Sequence, residues 1–374
     1  MNNNMNNKVA ARRCTNYDIE EVYNLIADIY KTCDGPVVSG KKVLLKPNIL
    51  MDSDPAKCIS THPVIVEAMV RFLQSEGATV MVGDSPALHL PGTKCERSGI
   101  AGVCRRTGAE WVDFLKNPSE VVLKNGRIRI ASVTREVDLI ISMPKFKNHE
   151  LVYFTGAIKN TLGLVPGFSK AKQHALHHDR ERFSVFLVDL NEAVTPHFYM
   201  MDGIMGMEGH GPGQGTPKLT GVLIGSTNPV ALDIIASTIA GYNPLDIPTT
   251  AIALARRHWL SNPEEIIYNG PLVSSLIIND FKRIPVSANE NIVVKFIKHR
   301  LHFIKKFEKR PVFVHDNCTG CQECIKICPV TAIAMHPEKK NWVVLTDRKC
   351  IRCFCCAEVC RYNAVDVRRK VFGD

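Results

Sequence analysis

Short apolar runs alternate with stretches of helical period through roughly the first 250 residues, the spacing of an α/β chain. Lys42-Val-Leu-Leu-Lys46 predicts a buried strand, Pro63 to Gln74 an amphipathic helix with Thr61 placed to cap it, and Ala78-Thr-Val-Met-Val-Gly83 the next strand. Those three make one βαβ unit. Further strands are expected at Asp138–Ser142, Phe198–Met201 and Leu219–Ile224, with helices over Arg182–Ala193 and Pro229–Ala240. The expected architecture is α/β, a mostly parallel sheet with flanking helices.

A different pattern begins near Asn291. Val293, Ile297, Leu301, Ile304 and Phe307 approximate a helical stripe, and Lys295–Arg310 holds seven Lys/Arg against one Glu. This basic amphipathic helix reads as a linker packing its stripe on a domain, with membrane-surface contact through 291–310 the lesser alternative. The 374 residues then divide into an α/β domain with a substrate or partner site at 1–288, the linker helix at 289–310, and a small cysteine-rich domain at 311–374.

An apolar content of 45% supports a real core. No run reaches the ~18 apolar residues of a membrane span, and the polar start Met1-Asn-Asn-Asn-Met lacks the order of a secretory signal, so a soluble, cytoplasmic protein is expected. Cys14, Cys33, Cys58, Cys95 and Cys104 show no paired spacing and read as structural thiols of a reducing compartment.

The other cysteines are organised. Cys318-Thr-Gly-Cys321-Gln-Glu-Cys324-Ile-Lys-Ile-Cys328-Pro329 and Cys350-Ile-Arg-Cys353-Phe-Cys-Cys356-Ala-Glu-Val-Cys360 repeat one CxxCxxCxxxC spacing, whereas a zinc ribbon needs only four ligands. The two runs resemble the bacterial two-cluster ferredoxins. That resemblance implies a small α+β ferredoxin-like domain with two [4Fe–4S] clusters and crossed ligation: Cys318, Cys321, Cys324 and Cys360 on one, Cys350, Cys353, Cys356 and Cys328 on the other. Arg361 stands where proline often follows the last cysteine, and Cys355 is an extra thiol, read as packed.

Clusters also correct the charge. The formal +10 falls to about +6 once eight thiolates and two oxidised cores are counted. With so modest a charge and no aromatic–basic motif, nucleic-acid binding is not expected. The cysteine-rich domain still carries ten Lys/Arg against seven Asp/Glu, a collar suited to an acidic cytoplasmic electron donor such as ferredoxin or flavodoxin.

Upstream, polar residues recur just after the predicted strands, at Lys46 and Asn48, Asp84 and Ser85, Lys145 and Lys147, Asp202, and Asn228. Ligands of open α/β sheets bind outside those strand ends. In order, Lys46-Pro47-Asn48, Thr61-His62-Pro63, Gly83-Asp84-Ser85-Pro86, Pro144-Lys145-Phe146-Lys147-Asn148-His149, Gly156-Ala157-Ile158-Lys159-Asn160, Met201-Asp202-Gly203-Ile204 and Asn228-Pro229-Val230-Ala231-Leu232-Asp233 resemble the prokaryotic family called domain of unknown function 362, often fused to a two-cluster ferredoxin module. The resemblance spans about Lys41 to Thr250 and implies a shared site without fixing a reaction.

The residues suggest its chemistry. Lys46, Lys145, Lys147 and Lys159 form a cationic pocket for carboxylate or phosphate; His62 and His149 serve as proton donors; Asp84, Asp202, Glu208 and Asp233 hold a hard cation or orient the lysines. Gly209-His-Gly-Pro-Gly-Gln-Gly215 matches no nucleotide fingerprint and reads as a turning loop that carries Glu208 and His210 toward the site. His174, His177 and His178 read as a solvated loop. The leading expectation is an iron–sulfur oxidoreductase passing electrons to a small anionic substrate or cofactor held by the α/β domain. Its rivals are a non-enzymatic electron-transfer or assembly protein acting on a partner, and a non-redox isomerase or lyase with structural clusters.

Overall fold

The computed structural model describes residues 6–87, 95–177, 179–286 and 309–368. Sixteen strands occur among them: β1 Lys8–Arg13, β2 Lys42–Pro47, β3 Thr79–Val82, β4 Glu110–Trp111, β5 Ser119–Leu123, β6 Gly126–Ile130, β7 Leu139–Met143, β8 Lys145–His149, β9 Tyr153–Thr155, β10 Phe198–Glu208, β11 Thr216–Ser226, β12 Ile267–Asn269, β13 Arg310–Phe313, β14 Ile333–Met335, β15 Val343–Leu345 and β16 Val365–Arg368. The central sheet runs β12-β1-β11-β10-β7-β2-β3-β4, with β8 paired to β10 and β9. The stretch from β10 to β4 is parallel, while β10 and β11 pair antiparallel, so the sheet is mixed but mostly parallel on the side that carries the βαβ unit.

Strand alternation divides the core in two. Val43 and Leu45, Ile141 and Met143, and Phe198 and Met200 face one apolar layer with helices α1 (Ile19–Thr32), α2 (Pro63–Ser75) and α3 (Ile100–Thr107). Leu44, Ile140, Tyr199 and Met201 face the other, which packs α4 (Ala157–Asn160), α6 (Arg180–Val194), α7 (Pro229–Ile239) and α8 (Pro248–Arg256). Strands apolar on both faces are what a sheet sandwiched between helices requires.

Several boundaries differ from the sequence expectation, and two of them bear on the site. The cap of α2 is His62, whose Nδ1 accepts from Val64 N at 3.3 Å. Thr61 is diverted: its hydroxyl donates to Met143 O at 2.7 Å and accepts from Asn48 N at 2.9 Å, tying two strand ends together. The second is β10, expected over Phe198–Met201, which continues through Gly203 and Gly206 to Glu208. Gly206 is a glycine because a Cβ there would press on the Phe146 carbonyl and the Thr220 methyl, so the small residue lets β8, β10 and β11 approach.

The cysteine-rich domain is internally repeated. Strands β13 and β16 pair, as do β14 and β15, and helix Glu323–Ile327 has its counterpart in Cys355–Glu358. The residue before each helix, Gln322 or Phe354, has positive φ, at 64° and 61°. Of the linker helix expected over 289–310, residues 289–308 lie outside the described residues, while Arg310 opens β13. No helix among the described residues is long and apolar enough to cross a membrane.

Candidate functional site

The parallel strands end together, and their polar C-terminal residues meet. Lys46 at the end of β2 is fully buried and pairs with Asp84, just after β3, at 3.0 Å. Its amine also donates to Pro47 O at 2.8 Å and Asn160 Oδ1 at 3.3 Å, while Asp84 accepts from Ile49 N at 2.6 Å and Ser85 N at 2.8 Å. A side chain at Gly163 would collide with both members of this pair, so glycine closes its third side. Burial pulls the Lys46 amine below its ordinary range, and Asp84 opposes that pull.

Strand β8 supplies a row. Lys145, Lys147 and His149 alternate with Phe146 and Asn148 and so share one face. Lys145 pairs with Asp202 at 2.6 Å, and Asp202 also accepts from His62 N at 2.8 Å and from the Tyr17 hydroxyl at 3.2 Å. Lys147, 1% exposed, donates to Ile59 O at 2.6 Å and has no carboxylate at ion-pair distance among the described residues. Burial, then the charge of nearby Lys159, holds its amine well below the lysine range, with Glu358 pulling the other way.

His149 is fully buried, and its Nδ1 accepts from Leu151 N at 3.1 Å and Val152 N at 3.3 Å. That leaves the ring proton on Nε2, 3.3 Å from Glu358 Oε1 but outside hydrogen-bond alignment. Burial, Lys159 and Lys147 keep the ring neutral. His62 shares that arrangement: its Nδ1 accepts at the helix cap, the ring stacks on Tyr17 with centroids 3.6 Å apart, and burial holds it down at about 4.

Lys159, on the short helix α4, is placed by a carboxylate. Asp233 accepts from Ala157 N at 2.6 Å and Ile158 N at 3.2 Å, fixing the first turn of that helix, and burial raises its carboxyl to about 7. Lys159 makes no ion pair among the described residues, yet lies within electrostatic reach of Lys46, Lys147, Glu358 and Cys355. The four carboxylates expected to hold a cation or orient the lysines divide: Asp84 and Asp202 each pair with a lysine, Asp233 caps α4, and Glu208 accepts from Lys282 N at 2.9 Å. Among the described residues of the α/β domain no three His, Cys, Asp or Glu side chains gather as a group fit to hold a single metal ion. The Gly209–Gly215 loop joins β10 to β11 and carries His210 to Glu150, at 2.8 Å, rather than to the lysines.

Two participants, Lys170 and Glu358, carry no sequence signal, and a third, His174, is one of the histidines read as a solvated loop. Lys170 and His174 lie on α5 (Ser169–Leu176), and Glu358 belongs to the cysteine-rich domain. Burial lowers Lys170 to about 7, with Asp84 opposing and Lys46 and Lys159 adding. His174 and His177, read as solvated, instead stack on Phe183 and Phe186 with centroids 4.2 and 4.7 Å apart; His178 lies outside the described residues.

Both His62 and His174 are held at about 4, His174 by burial with Lys159 and His149 adding and Glu358 opposing. From about pH 6.5 down to about 4 these two histidines bind protons in the unfolded chain that they refuse in the folded one, a contribution to stability that falls with pH and outweighs the opposite one of Asp233, whose carboxyl burial raises to about 7. Anaerobic urea melts followed by near-UV ellipticity should show the midpoint dropping between pH 6.5 and 4.5. His174→Phe should flatten part of the slope, and an unchanged slope in that variant would remove His174 from the account.

The cysteine-rich domain closes the site. Cys353, Cys355, Ile327 and Val359 pack with Ala171 and Ala87 of the α/β domain, and Lys309 pairs with Glu150 at 3.1 Å. Cys328, Cys350, Cys353, Cys356 and the extra thiol Cys355 line one cavity together with Val330, Ile333 and Ile351, an apolar wall around five thiols. Cys324 has Cys318, Cys321 and Cys360 as its thiol neighbours. Backbone N–H groups of Ala332 and Ala364 donate to the Cys328 and Cys360 sulfurs, each at 3.2 Å. Thiols spread around an apolar space, with amides aimed at sulfur, fit iron–sulfur clusters.

Comparison with known proteins agrees. A model of the domain of unknown function DUF362 matches residues 43–238, and a 4Fe-4S dicluster domain matches residues 302–364, the fusion expected from the motifs. A thylakoid-associated protein of Synechocystis sp. is 31% identical over 280 residues, 71% of this chain and 87% of that protein. Among solved structures, the lactate racemase apoprotein of Thermoanaerobacterium thermosaccharolyticum aligns at TM-score 0.43 and 12% identity over 62% of this chain. A Thermotoga maritima protein aligns at TM-score 0.37 and 12% identity over 56% of this chain. The chain spans 56% of the length of each of these two structures.

Proposed function

The chain belongs to the DUF362 family and is an iron–sulfur protein through its 4Fe-4S dicluster domain, and from that premise we propose a cytoplasmic oxidoreductase acting on a small anionic substrate or cofactor. The observation that carries this reading is the seam: thiols of the dicluster domain pack on Ala87 and Ala171, beside the cluster of Lys147, Lys159 and Lys170.

In this reading Cys318, Cys321, Cys324 and Cys360 hold one [4Fe–4S] cluster, and Cys328, Cys350, Cys353 and Cys356 the other. The clusters supply single electrons when bound. Cys321 is exposed, which suits the first set to an external donor such as ferredoxin or flavodoxin, whereas Cys353 faces the α/β domain. Lys147 and Lys159 bind and orient the anion and offset the negative charge that grows on it during reduction. His149, with its proton on Nε2, donates a hydrogen bond there. Lys46–Asp84 and Lys145–Asp202 position the strand ends and exclude water.

The test is reoxidation. Anaerobically reconstituted protein, reduced and freed of excess reductant, is mixed with pools of small carboxylates and phosphates while the visible spectrum and electron paramagnetic resonance are followed. At least one pool should reoxidise it, and Lys147→Met should slow that step about 100-fold or more. If every pool leaves the reduced spectrum intact, the oxidoreductase reading fails.

A further inference from the structure

Strands β8 and β9 pair antiparallel with Lys147 opposite Thr155. Residues directly opposite in such a pair share a face, as do residues two apart on one strand, so Thr155 joins Lys147 and His149. The segment 59–61 lies against that face. Lys147 donates to Ile59 O at 2.6 Å, Ser60 bridges Ile49, Thr61 N donates to Asn48 O at 2.9 Å, and Asn48 N donates to the Thr61 hydroxyl at 2.9 Å. Register and hydrogen bonds therefore bring Lys147, His149, Thr155, Ser60 and Asn48 to one place.

Polar atoms are left over there. Thr155 Oγ1, Ser60 Oγ, Asn48 Oδ1 and His149 Nε2 are buried and make no hydrogen bond among the described residues, and Thr155 and His149 are 0% exposed. A folded chain seldom leaves one such atom unpaired, and four beside one lysine are more than its own groups satisfy.

The hydrogen bonds already made say what each atom offers. His149 Nδ1 accepts from two backbone amides, so Nε2 carries the proton and donates, with Glu358 Oε1 at 3.3 Å but out of line. Lys147 keeps N–H groups beyond the one given to Ile59 and donates whether or not it is charged. Asn48 is the opposite case. Its Nδ2 donates to Asn160 Oδ1 at 2.9 Å, and Asn160 is itself fixed, since its Oδ1 takes the Lys46 amine at 3.3 Å while its Nδ2 donates to Ser142 Oγ at 2.9 Å and Lys46 O at 3.4 Å. The free atom of Asn48 is thus its carbonyl oxygen, an acceptor.

We propose that this place binds a small carboxylate bearing a hydroxyl group, with Lys147, Thr155 and His149 donating to the carboxylate and Asn48 accepting from the hydroxyl. The inference deepens the reading of a small anionic substrate and rests on it for the location of the site. Selectivity follows from Asn48. A ligand without the hydroxyl shuts a buried acceptor away from any donor, which costs more than a good contact contributes.

Calorimetric titration of the oxidised, fully reconstituted chain with hydroxymalonate and malonate tests this, because the two dianions differ only by the hydroxyl. Glycolate and acetate repeat the comparison at a single charge. Hydroxymalonate should bind at least about 10-fold more tightly than malonate, and glycolate more tightly than acetate. Asn48→Leu should erase that preference. Thr155→Val should weaken both members of each pair about 10-fold and keep the preference. Valine also replaces an unpaired buried hydroxyl by a methyl of the same shape, so the urea midpoint of that variant should hold or rise, whereas a merely structural threonine would lower it.

The proposal is overturned if none of the four anions binds, if the hydroxyl makes no difference, or if Thr155→Val leaves affinity intact or lowers the midpoint. Where Asn48→Leu does not fold, the parent chain and Thr155→Val decide alone. Hydroxyl-selective binding without reoxidation by any pool would sink the redox reading and leave this one standing; reoxidation by an anion without hydroxyl selectivity would do the reverse.

Discussion

Cys353→Ala should lower the iron content of the reconstituted chain from about eight atoms to about four and end reoxidation by the substrate. The second half of that expectation follows from position. Cys353 lines the cavity shared with Cys328, Cys350 and Cys356 and packs where the dicluster domain touches Ala171 and Ala87. Cys321 is exposed and neighbours Cys324 in the other set. Cys321→Ala should therefore lose a similar amount of iron yet keep substrate-dependent reoxidation when dithionite supplies the electrons directly. Iron analysis and the reoxidation rate of both variants, measured side by side, decide it. Equal loss of reoxidation in the two variants would contradict the assignment of the Cys353 set as the one that serves the site.

Asp84→Asn should destabilise the α/β domain by about 3–5 kcal/mol, because it leaves the Lys46 charge buried without its partner. Lys46 and Asp84 are 0% and 2% exposed, and Gly163 packs against both, since a side chain there would collide with each. The amide is also the wrong shape for the place. Both carboxylate oxygens of Asp84 accept, from Ile49 N, Ser85 N and Lys46, so whichever way asparagine turns, its NH2 group faces a donor. Anaerobic chemical denaturation would register the loss directly. Lys46→Met combined with Asp84→Asn should recover much of it, since the uncompensated charge is gone. A single-variant loss below about 1 kcal/mol would mean that the pair is solvated and relaxed.

The strands at Lys42, Ala78 and Asp138 and the helix at Pro63 were legible because each carries its own period, and the cysteines because ligand spacing is local. Lys145, Lys147 and His149 were legible as a row for the same reason, alternation along one strand. What escaped depends on tertiary contacts. Thr61 and His62 are both able to cap α2, and the choice falls to His62 only because Asn48 and Met143 occupy the Thr61 hydroxyl. Glu208 looks like a site carboxylate until the backbone of Lys282 arrives to bind it. Lys170 and Glu358 lie in segments with no distinguishing period and reach the lysines only because two domains dock. Motifs display what a chain brings to a site within one element; they are silent on what comes from across a seam.

Among the described residues that seam includes the apolar patch around Ile327 and Val359, the Lys309–Glu150 pair and the approach of Glu358 to His149. As separate molecules, the two surfaces would have to find each other at cellular dilution. Covalent continuity changes the arithmetic, because a short tether presents each partner to the other at an effective concentration on the order of millimolar. Each α/β domain thus carries its own supplier in fixed one-to-one dose, and Glu358 arrives with it, so gene fusion rather than surface affinity keeps the two stoichiometric.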